Sequence, residues 1–218
     1  MFYEFFRWLA LITGWPFDLI FFTRKVYYED KKMQSSRIRG GALIISNHYH
    51  FYDYMATMFT VAPRKLNVVA AEMPFRTKIG RFGMKFFGGI EANRETRSMR
   101  FVDTSAELIR RDQLVLIYPE GRITTDGRLG KFKPSYIAIA HRASAPIIPI
   151  VLDGQYSLFK RTHMIIGKPI YLSDYFTSDR RTPLREDIDA ANDAIYRKVS
   201  ELRNRLDELK AKEKGRKR

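Results

Sequence analysis

Apolar residues in this chain come in two patterns. Short, largely apolar runs occur at Ala42–Ser46, Leu66–Ala70, Leu114–Tyr118, Ile147–Leu152 and Met164–Ile166. Blocks of this length with so little polar alternation read as strands buried on both faces. Between them, segments near 53–60, 75–87, 98–111 and 134–143 carry helix-type patterns. Strands alternating with helices at this spacing predict an α/β fold, a single domain whose mostly buried mixed sheet is flanked by helices. Residues 184–213 repeat apolar positions every three or four residues, through Leu184, Ile188, Ala191, Ile195, Val199, Leu202, Leu206 and Leu209. That narrow stripe predicts one long charged helix packed along a single side.

The first 22 residues follow neither pattern. Residues 2–22 are dense in Phe, Trp, Leu and Ile, but Glu4, Arg7 and Asp18 interrupt them and Gly14-Trp15-Pro16 stands in the middle. A bilayer span needs ~20 predominantly apolar residues, and a proline inside a helix removes a hydrogen bond and clashes with the preceding turn. The expectation is therefore an aromatic helical hairpin, two short helices meeting at Trp15. Its aromatics suit a lipid headgroup boundary, with Arg24 and Lys25 following to meet lipid phosphates. The segment lacks the basic lead and small-residue cleavage site of a secretory signal. An ordinary core-packing hairpin and a single broken span both stay open. The pattern divides the chain into residues 1–30, a membrane-associating segment; 31–183, the α/β domain; and 184–218, an amphipathic helix with a basic tail.

Composition narrows the partners. The 218 residues carry a formal charge of +15, with sixteen Phe, twelve Tyr and no cysteine. Absence of cysteine excludes disulfides, a thiol nucleophile and thiolate zinc sites. The positive balance suits anionic lipid, nucleic acid or an acidic carrier protein. Aromatics gathered at an apolar terminus, rather than interleaved with basic residues, favour lipid over nucleic acid. The stretch from Arg197 to Arg218 holds ten basic against four acidic residues, which reads first as a solvated helix face and only secondarily as a lipid contact.

Three clusters carry candidate chemistry. His48 and Asp53 follow the strand block Ala42–Ser46. Five residues apart, they meet only if His48 lies on the turn and Asp53 on the first turn of the next helix, where the helix dipole also favours a carboxylate. Asp53 then accepts the Nδ1 proton and leaves Nε2 to act as a general base. A structural histidine in a turn is the bland alternative. His48, His50 and Asp53 also resemble half of a metal site, with His163 a spare ligand and His141 inside a helix-like stretch. A catalytic zinc needs three protein ligands and an open position, so that reading is short of donors. Tyr118-Pro119-Glu120-Gly121-Arg122 stands at the end of another strand block, where α/β sheets bind ligands. Gly121 permits close backbone approach, Arg122 offers a fork for phosphate, and Glu120 can orient it or a hydroxyl. Gly88-Gly89-Ile90-Glu91-Ala92-Asn93-Arg94 is a glycine pair leading a short strand that ends at an arginine.

Taken together, the clusters resemble the glycerolipid acyltransferase family typified by 1-acylglycerol-3-phosphate acyltransferase. Its Asn-His-x4-Asp motif matches Asn47, His48 and Asp53, and its glycine, strand and arginine match Gly88 and Arg94. Its Phe-Pro-Glu-Gly-Thr-Arg-Ser motif is matched at Pro119, Glu120 and Gly121; Tyr118 takes the place of Phe, and Arg122 stands one place early with Ile123 in the usual arginine position. The apolar strand with prolines appears as Ala145–Ile150, and Phe132-Lys133 resembles the Phe-Lys that often follows the third motif. The resemblance spans residues 47–150 in the family's order.

The resemblance implies transfer of a fatty acyl group from a thioester, acyl-CoA or acyl carrier protein, to the sn-2 hydroxyl of a lysophosphatidate. His48 would be the base, oriented by Asp53. Arg94 would bind the acceptor phosphate, helped by Arg122 and Lys133, in a pocket shaped by Glu120 and Gly121. No metal, cofactor or nucleic acid is implied. The enzyme would sit peripherally or monotopically on anionic lipid at the cytoplasmic face of the cell membrane. Glycerol-3-phosphate or another lysolipid stays open as acceptor; a nucleic-acid-binding protein, a metal hydrolase and a non-catalytic lipid adaptor are the other readings.

Overall fold

The computed structural model describes residues 2–21, 23–30, 38–92, 99–124, 126–157, 161–176 and 183–215. One sheet of seven strands organises them: β1 (Arg24–Tyr28), β2 (Ala42–Ser46), β3 (Leu66–Ala71), β4 (Gly89–Ala92), β5 (Leu114–Ile117), β6 (Ile147–Leu152) and β7 (Thr162–Ile166), in the order β1-β7-β6-β2-β5-β3-β4. Neighbours run parallel except β6 and β7, so the sheet is mixed. The apolar blocks are the strands expected from the sequence. β1, which the sequence pattern did not indicate, extends the sheet at one edge.

β2 shows why such blocks become central strands. It pairs with β5 on one side and β6 on the other, and all five of its residues are buried. Successive side chains point to opposite faces. Leu43 and Ile45 enter the layer shared with α4 (Arg100–Arg110), α5 (Ser135–Ala143) and α6 (Arg185–Gly215). Ala42 and Ile44 enter the layer shared with α2 (Asp53–Val61). Burying one such side chain contributes about 1.5–3 kcal/mol, so a polar residue in place of Leu43, Ile44 or Ile45 would be costly. α6 seats Ala191, Ile195, Val199, Leu202 and Leu206 of its expected stripe, while Leu184 stays exposed.

The N-terminal segment differs from expectation. It is one helix, α1 (Phe2–Phe21), with Pro16 inside it, rather than a hairpin broken at Trp15. An internal proline costs about 3 kcal/mol, and contacts on both sides of Pro16 offset that. Before it, Arg7 donates to the Leu66 carbonyl at 2.9 Å and to Asn67 Oδ1 at 3.2 Å. Beside it, Gly14 lies against the Phe59 ring. After it, Asp18 pairs with Arg24. Residues 7, 14 and 18 share one face, so α1 is inside-out: Arg7 and Asp18 are buried, and Phe5, Trp8, Leu9, Ile12 and Trp15 are exposed. Burial pushes the Asp18 carboxyl up, with Arg24 acting against that. No described helix is long and apolar enough to cross a membrane.

Gly88, from the glycine-pair motif, marks where α1 docks. Its φ is +69°, and a Cβ there would lie 2.5 Å from the Arg7 guanidinium. The positive φ favours glycine, and the missing Cβ leaves room for the guanidinium.

Arg24 and Lys25 also depart from expectation. They face protein rather than lipid, because β1 carries them to acidic partners: Arg24 to Asp18, and Lys25 to Glu213 of α6 at 2.9 Å. Glu213 also accepts from Tyr27 Oη at 3.0 Å and contacts His163 Nε2 at 3.3 Å. The other nitrogen of His163 meets Asp153, which pairs with Lys210 at 2.8 Å. His163 is thus no spare metal ligand; it ties α6 to the sheet. The Lys25 ammonium first, then the Tyr27 hydroxyl, hold the Glu213 carboxyl down from 4.5 to about 2. A depressed carboxyl stabilises the fold above its unfolded value and loses that contribution as pH falls through its folded value. The Tm difference between the native chain and Glu213→Gln should therefore be full above pH 4.5 and close toward pH 2 in calorimetric scans across pH. A difference that persists unchanged at low pH would place the stabilisation elsewhere.

Candidate active site

The site forms where β2 ends. Asn47 is fully buried, and its amide replaces the next rung of the ladder: Nδ2 donates to the Leu152 carbonyl at 2.9 Å and Oδ1 accepts from Leu152 N–H at 2.8 Å. The backbone of residue 47 is thereby released from β6 and can turn. His48 follows on that turn, and Asp53 opens α2.

Asp53 is completely buried and surrounded by donors. Its Oδ2 accepts from Tyr49 N–H and His50 N–H, each at 2.7 Å, and lies 3.0 Å from His48 Nδ1. Its Oδ1 accepts from the Tyr156 hydroxyl at 2.5 Å. The turn wraps around the carboxylate, so the imidazole meets a fixed acceptor. Tyr118 stacks on the His48 ring, centroids 3.9 Å apart and planes 12° apart, which leaves the ring little freedom to tilt. With Nδ1 engaged, Nε2 is the nitrogen available for a substrate proton.

Glu120 takes a different position from the one its motif suggested. Oε1 accepts from the His48 backbone N–H at 3.0 Å, while Oε2 accepts from Thr124 Oγ1 at 2.9 Å and Gly130 N–H at 2.8 Å. The His48 carbonyl accepts from Thr124 N–H at 2.8 Å. Glu120 is buried and fastens the third-motif loop to the histidine's own peptide groups, instead of presenting its carboxylate to a ligand. Gly121, at φ +65°, completes the turn.

A cavity of about 870 Å³ opens beside the pair, within the ~300–1,000 Å³ usual for small-molecule sites. His48, Tyr118, Gly121, Arg122 and Lys133 all line it, with Val68, Val69, Met84 and Phe101 among its apolar walls. The structure thus brings His48, Asp53, Gly121, Arg122 and Lys133 to one place, with Glu120 behind them. Arg94 lies outside the described residues; Ala92, two positions earlier in sequence, lines the cavity. Among the described residues no three His, Asp or Glu side chains are grouped as a metal would require. His50 instead stacks on Tyr52.

Tyr156 was not foreseen from sequence. Its signal is topological: β6 runs parallel to β2, so the loop after Leu152 emerges at the same end as the loop after Ser46. Burial, then the Asp53 carboxylate, push the Tyr156 hydroxyl well above its ordinary value, so it stays a proton donor.

The site is thus an imidazole held by a carboxylate beside a largely apolar cavity, with two exposed cations, Arg122 and Lys133, on its lining. The acyltransferase family model matches residues 21–153, more than half of the chain, and the chain belongs to that family. It is similar to the 1-acyl-sn-glycerol-3-phosphate acyltransferase of Bacillus subtilis, 27% identical over 191 residues covering 85% of this chain and 90% of that one. The human 1-acyl-sn-glycerol-3-phosphate acyltransferase beta is 27% identical over 155 residues, 68% of this chain and 54% of that one. Its fold is that of the Thermotoga maritima 1-acyl-sn-glycerophosphate (LPA) acyltransferase PlsC, with a TM-score of 0.59 at 17% identity, covering 96% of this chain and 78% of that one.

Replacing Tyr156 by Phe removes one donor from the Asp53 carboxylate. A hydrogen bond to a charged group contributes ~1.5–3 kcal/mol, so acyl transfer by Tyr156→Phe should fall about tenfold in kcat. The KM values should change little. An unchanged kcat in steady-state kinetics would make Tyr156 a packing residue only.

Proposed function

We propose that the chain is a 1-acylglycerol-3-phosphate acyltransferase working at a membrane surface. It moves a fatty acyl group from acyl-CoA or acyl carrier protein to the sn-2 hydroxyl of lysophosphatidate and yields phosphatidate for phospholipid synthesis. The observation that carries this reading is the 3.0 Å His48–Asp53 contact opening onto the cavity that Arg122 and Lys133 also line. The names of the relatives support the choice of acceptor.

In this mechanism Asp53 holds the tautomer with the proton on Nδ1. His48 Nε2 removes the proton from the acceptor hydroxyl as its oxygen attacks the thioester carbonyl. Collapse of the tetrahedral intermediate forms the ester and breaks the carbon–sulfur bond, and the imidazolium returns the proton to the departing thiolate. The Asp53 carboxylate stabilises that transient imidazolium across the 3.0 Å contact. No acyl-enzyme, metal or cofactor takes part. Arg94 binds the acceptor phosphate with Arg122 and Lys133 beside it, and the apolar walls take acyl chain. The outward aromatic face of α1 rests in the cytoplasmic headgroup layer, and the net charge of +15 favours anionic lipid and an acidic carrier.

His48→Ala should lower kcat by about 10²–10⁴-fold, the usual contribution of a positioned base, in thioester-dependent acylation of lysophosphatidate on vesicles. Full turnover by the variant would remove His48 from the mechanism. Arg94→Ala should raise the acceptor's KM far more than the donor's; the reverse split would transfer the phosphate role to another residue.

A further inference from the structure

α3 (Lys78–Phe86) contains no fully buried residue, yet it is firmly built into the fold. Thr77 caps it, its side chain accepting from Gly80 N–H at 3.0 Å. A Cβ at Gly80 would lie 2.1 Å from the Pro74 carbonyl oxygen, so only glycine lets the helix close against the 3-10 turn Met73–Phe75. Arg81 Nε donates to the Phe75 carbonyl, and Phe75 is the buried anchor of that turn. On the inner side, Met84 packs so closely on Gly89 of β4 that a Cβ there would lie 2.4 Å from its Cε. Nine residues make too short a helix to persist alone in water. Tertiary packing holds this one, and in doing so it exposes large apolar side chains.

Those side chains form an unusual surface. Ile79 is 86% exposed, Met73 72% and Phe82 56%. Ile79, Phe82 and Phe86 fall at helical spacing on one stripe, with Lys78, Arg81 and Lys85 on the stripe beside it, and α3 contains no acidic residue. α3 packs against α1, whose exposed face carries Trp8, Ile12 and Trp15. Pro74 and Met84, from the same turn and helix, line the cavity next to His48.

We propose that the turn Met73–Phe75 and α3 form a second lipid-docking element, separate from α1, which inserts Met73, Ile79 and Phe82 into an anionic bilayer and brings the cavity to the lipid surface. The chemistry selects the occupant. A helix with apolar residues on one stripe and basic residues beside it lies in the headgroup plane, its apolar side chains in the acyl boundary and its cations on phosphates. A second copy of the chain would bring like charges together. An acidic carrier protein would use the cations but has no need for three large exposed apolar groups. The inference extends the membrane-surface reading of α1 and depends on it only for the shared plane.

Full-length Ile79→Ser/Phe82→Ser is the test, with partition onto vesicles of phosphatidylglycerol and phosphatidylcholine measured by co-sedimentation. Both residues are exposed, so the fold should tolerate the change. Partition should fall by about tenfold or more, as expected when apolar side chains no longer insert. Turnover of a water-soluble short-chain acceptor should stay as in the native chain. Lys78→Gln/Lys85→Gln should weaken binding to vesicles containing phosphatidylglycerol but not to phosphatidylcholine alone. Unchanged partition by the serine variant, with loss of binding in Trp8→Ser/Trp15→Ser, would assign lipid contact to α1 alone and overturn the proposal. Unchanged partition with a raised KM for a carrier-protein thioester would assign the surface to a protein and overturn it equally. If the native chain itself fails to bind vesicles, the membrane-surface reading falls together with this one.

Discussion

A buried carboxylate with four donors around it governs this structure. Asp53 cannot sit at zero exposure unless the backbone from Tyr49 to His50 curls round it, Tyr156 reaches it from beyond β6, and His48 turns Nδ1 toward it. An uncompensated buried charge is expensive, whereas one fully hydrogen-bonded is tolerated and becomes rigid. The same contacts that make Asp53 tolerable fix the imidazole. The rest of the edge follows: Asn47 ends the ladder one residue earlier, and Glu120 clasps the peptide groups of His48 from the other side. Positioning of the pair is therefore a property of three strand-end loops together, those after β2, β5 and β6.

The central sheet was legible because its strands are largely apolar with little polar alternation, a pattern that a strand buried on both faces explains at that length. β1 was not legible: Arg24-Lys25-Val26-Tyr27-Tyr28 is an edge strand whose cations are satisfied by Asp18 and Glu213, and Glu213 is remote in sequence. The single helix through Pro16 escaped local reading for the same reason, since the contacts that offset the proline come from Leu66, Asn67 and Phe59. In the site, the meeting of His48 and Asp53 was legible from the strand block before them, which puts His48 on a turn and Asp53 on the first turn of the next helix. Glu120 could be placed at a strand end but not given its partners, because these include Gly130, in a loop without a distinctive pattern. Tyr156 required knowledge that β6 neighbours β2.

Gly88 links the two ends of the molecule. As a motif residue it leads the short strand toward Arg94. In the fold it makes room for the Arg7 guanidinium, which also holds Leu66 and Asn67 of β3, whose next residues wall the cavity. The inside-out helix is thus coupled to the cavity wall through Arg7 and the space that Gly88 leaves for it. A protein that puts its charges inward and its aromatics outward on one helix needs such an internal receptor for the charge.

The distance in sequence between Arg7 and its acceptors has a consequence for biosynthesis. Leu66 and Asn67 lie 59 and 60 residues further along the chain. At ribosomal speeds of ~5–20 residues per second, Arg7 is therefore made about 3–12 s before its acceptors. During that interval its guanidinium lacks the Leu66 and Asn67 acceptors that hold it in the finished fold. The order of residues along the chain thereby becomes an order of events, in which the helix is made first and the strand that receives its guanidinium follows.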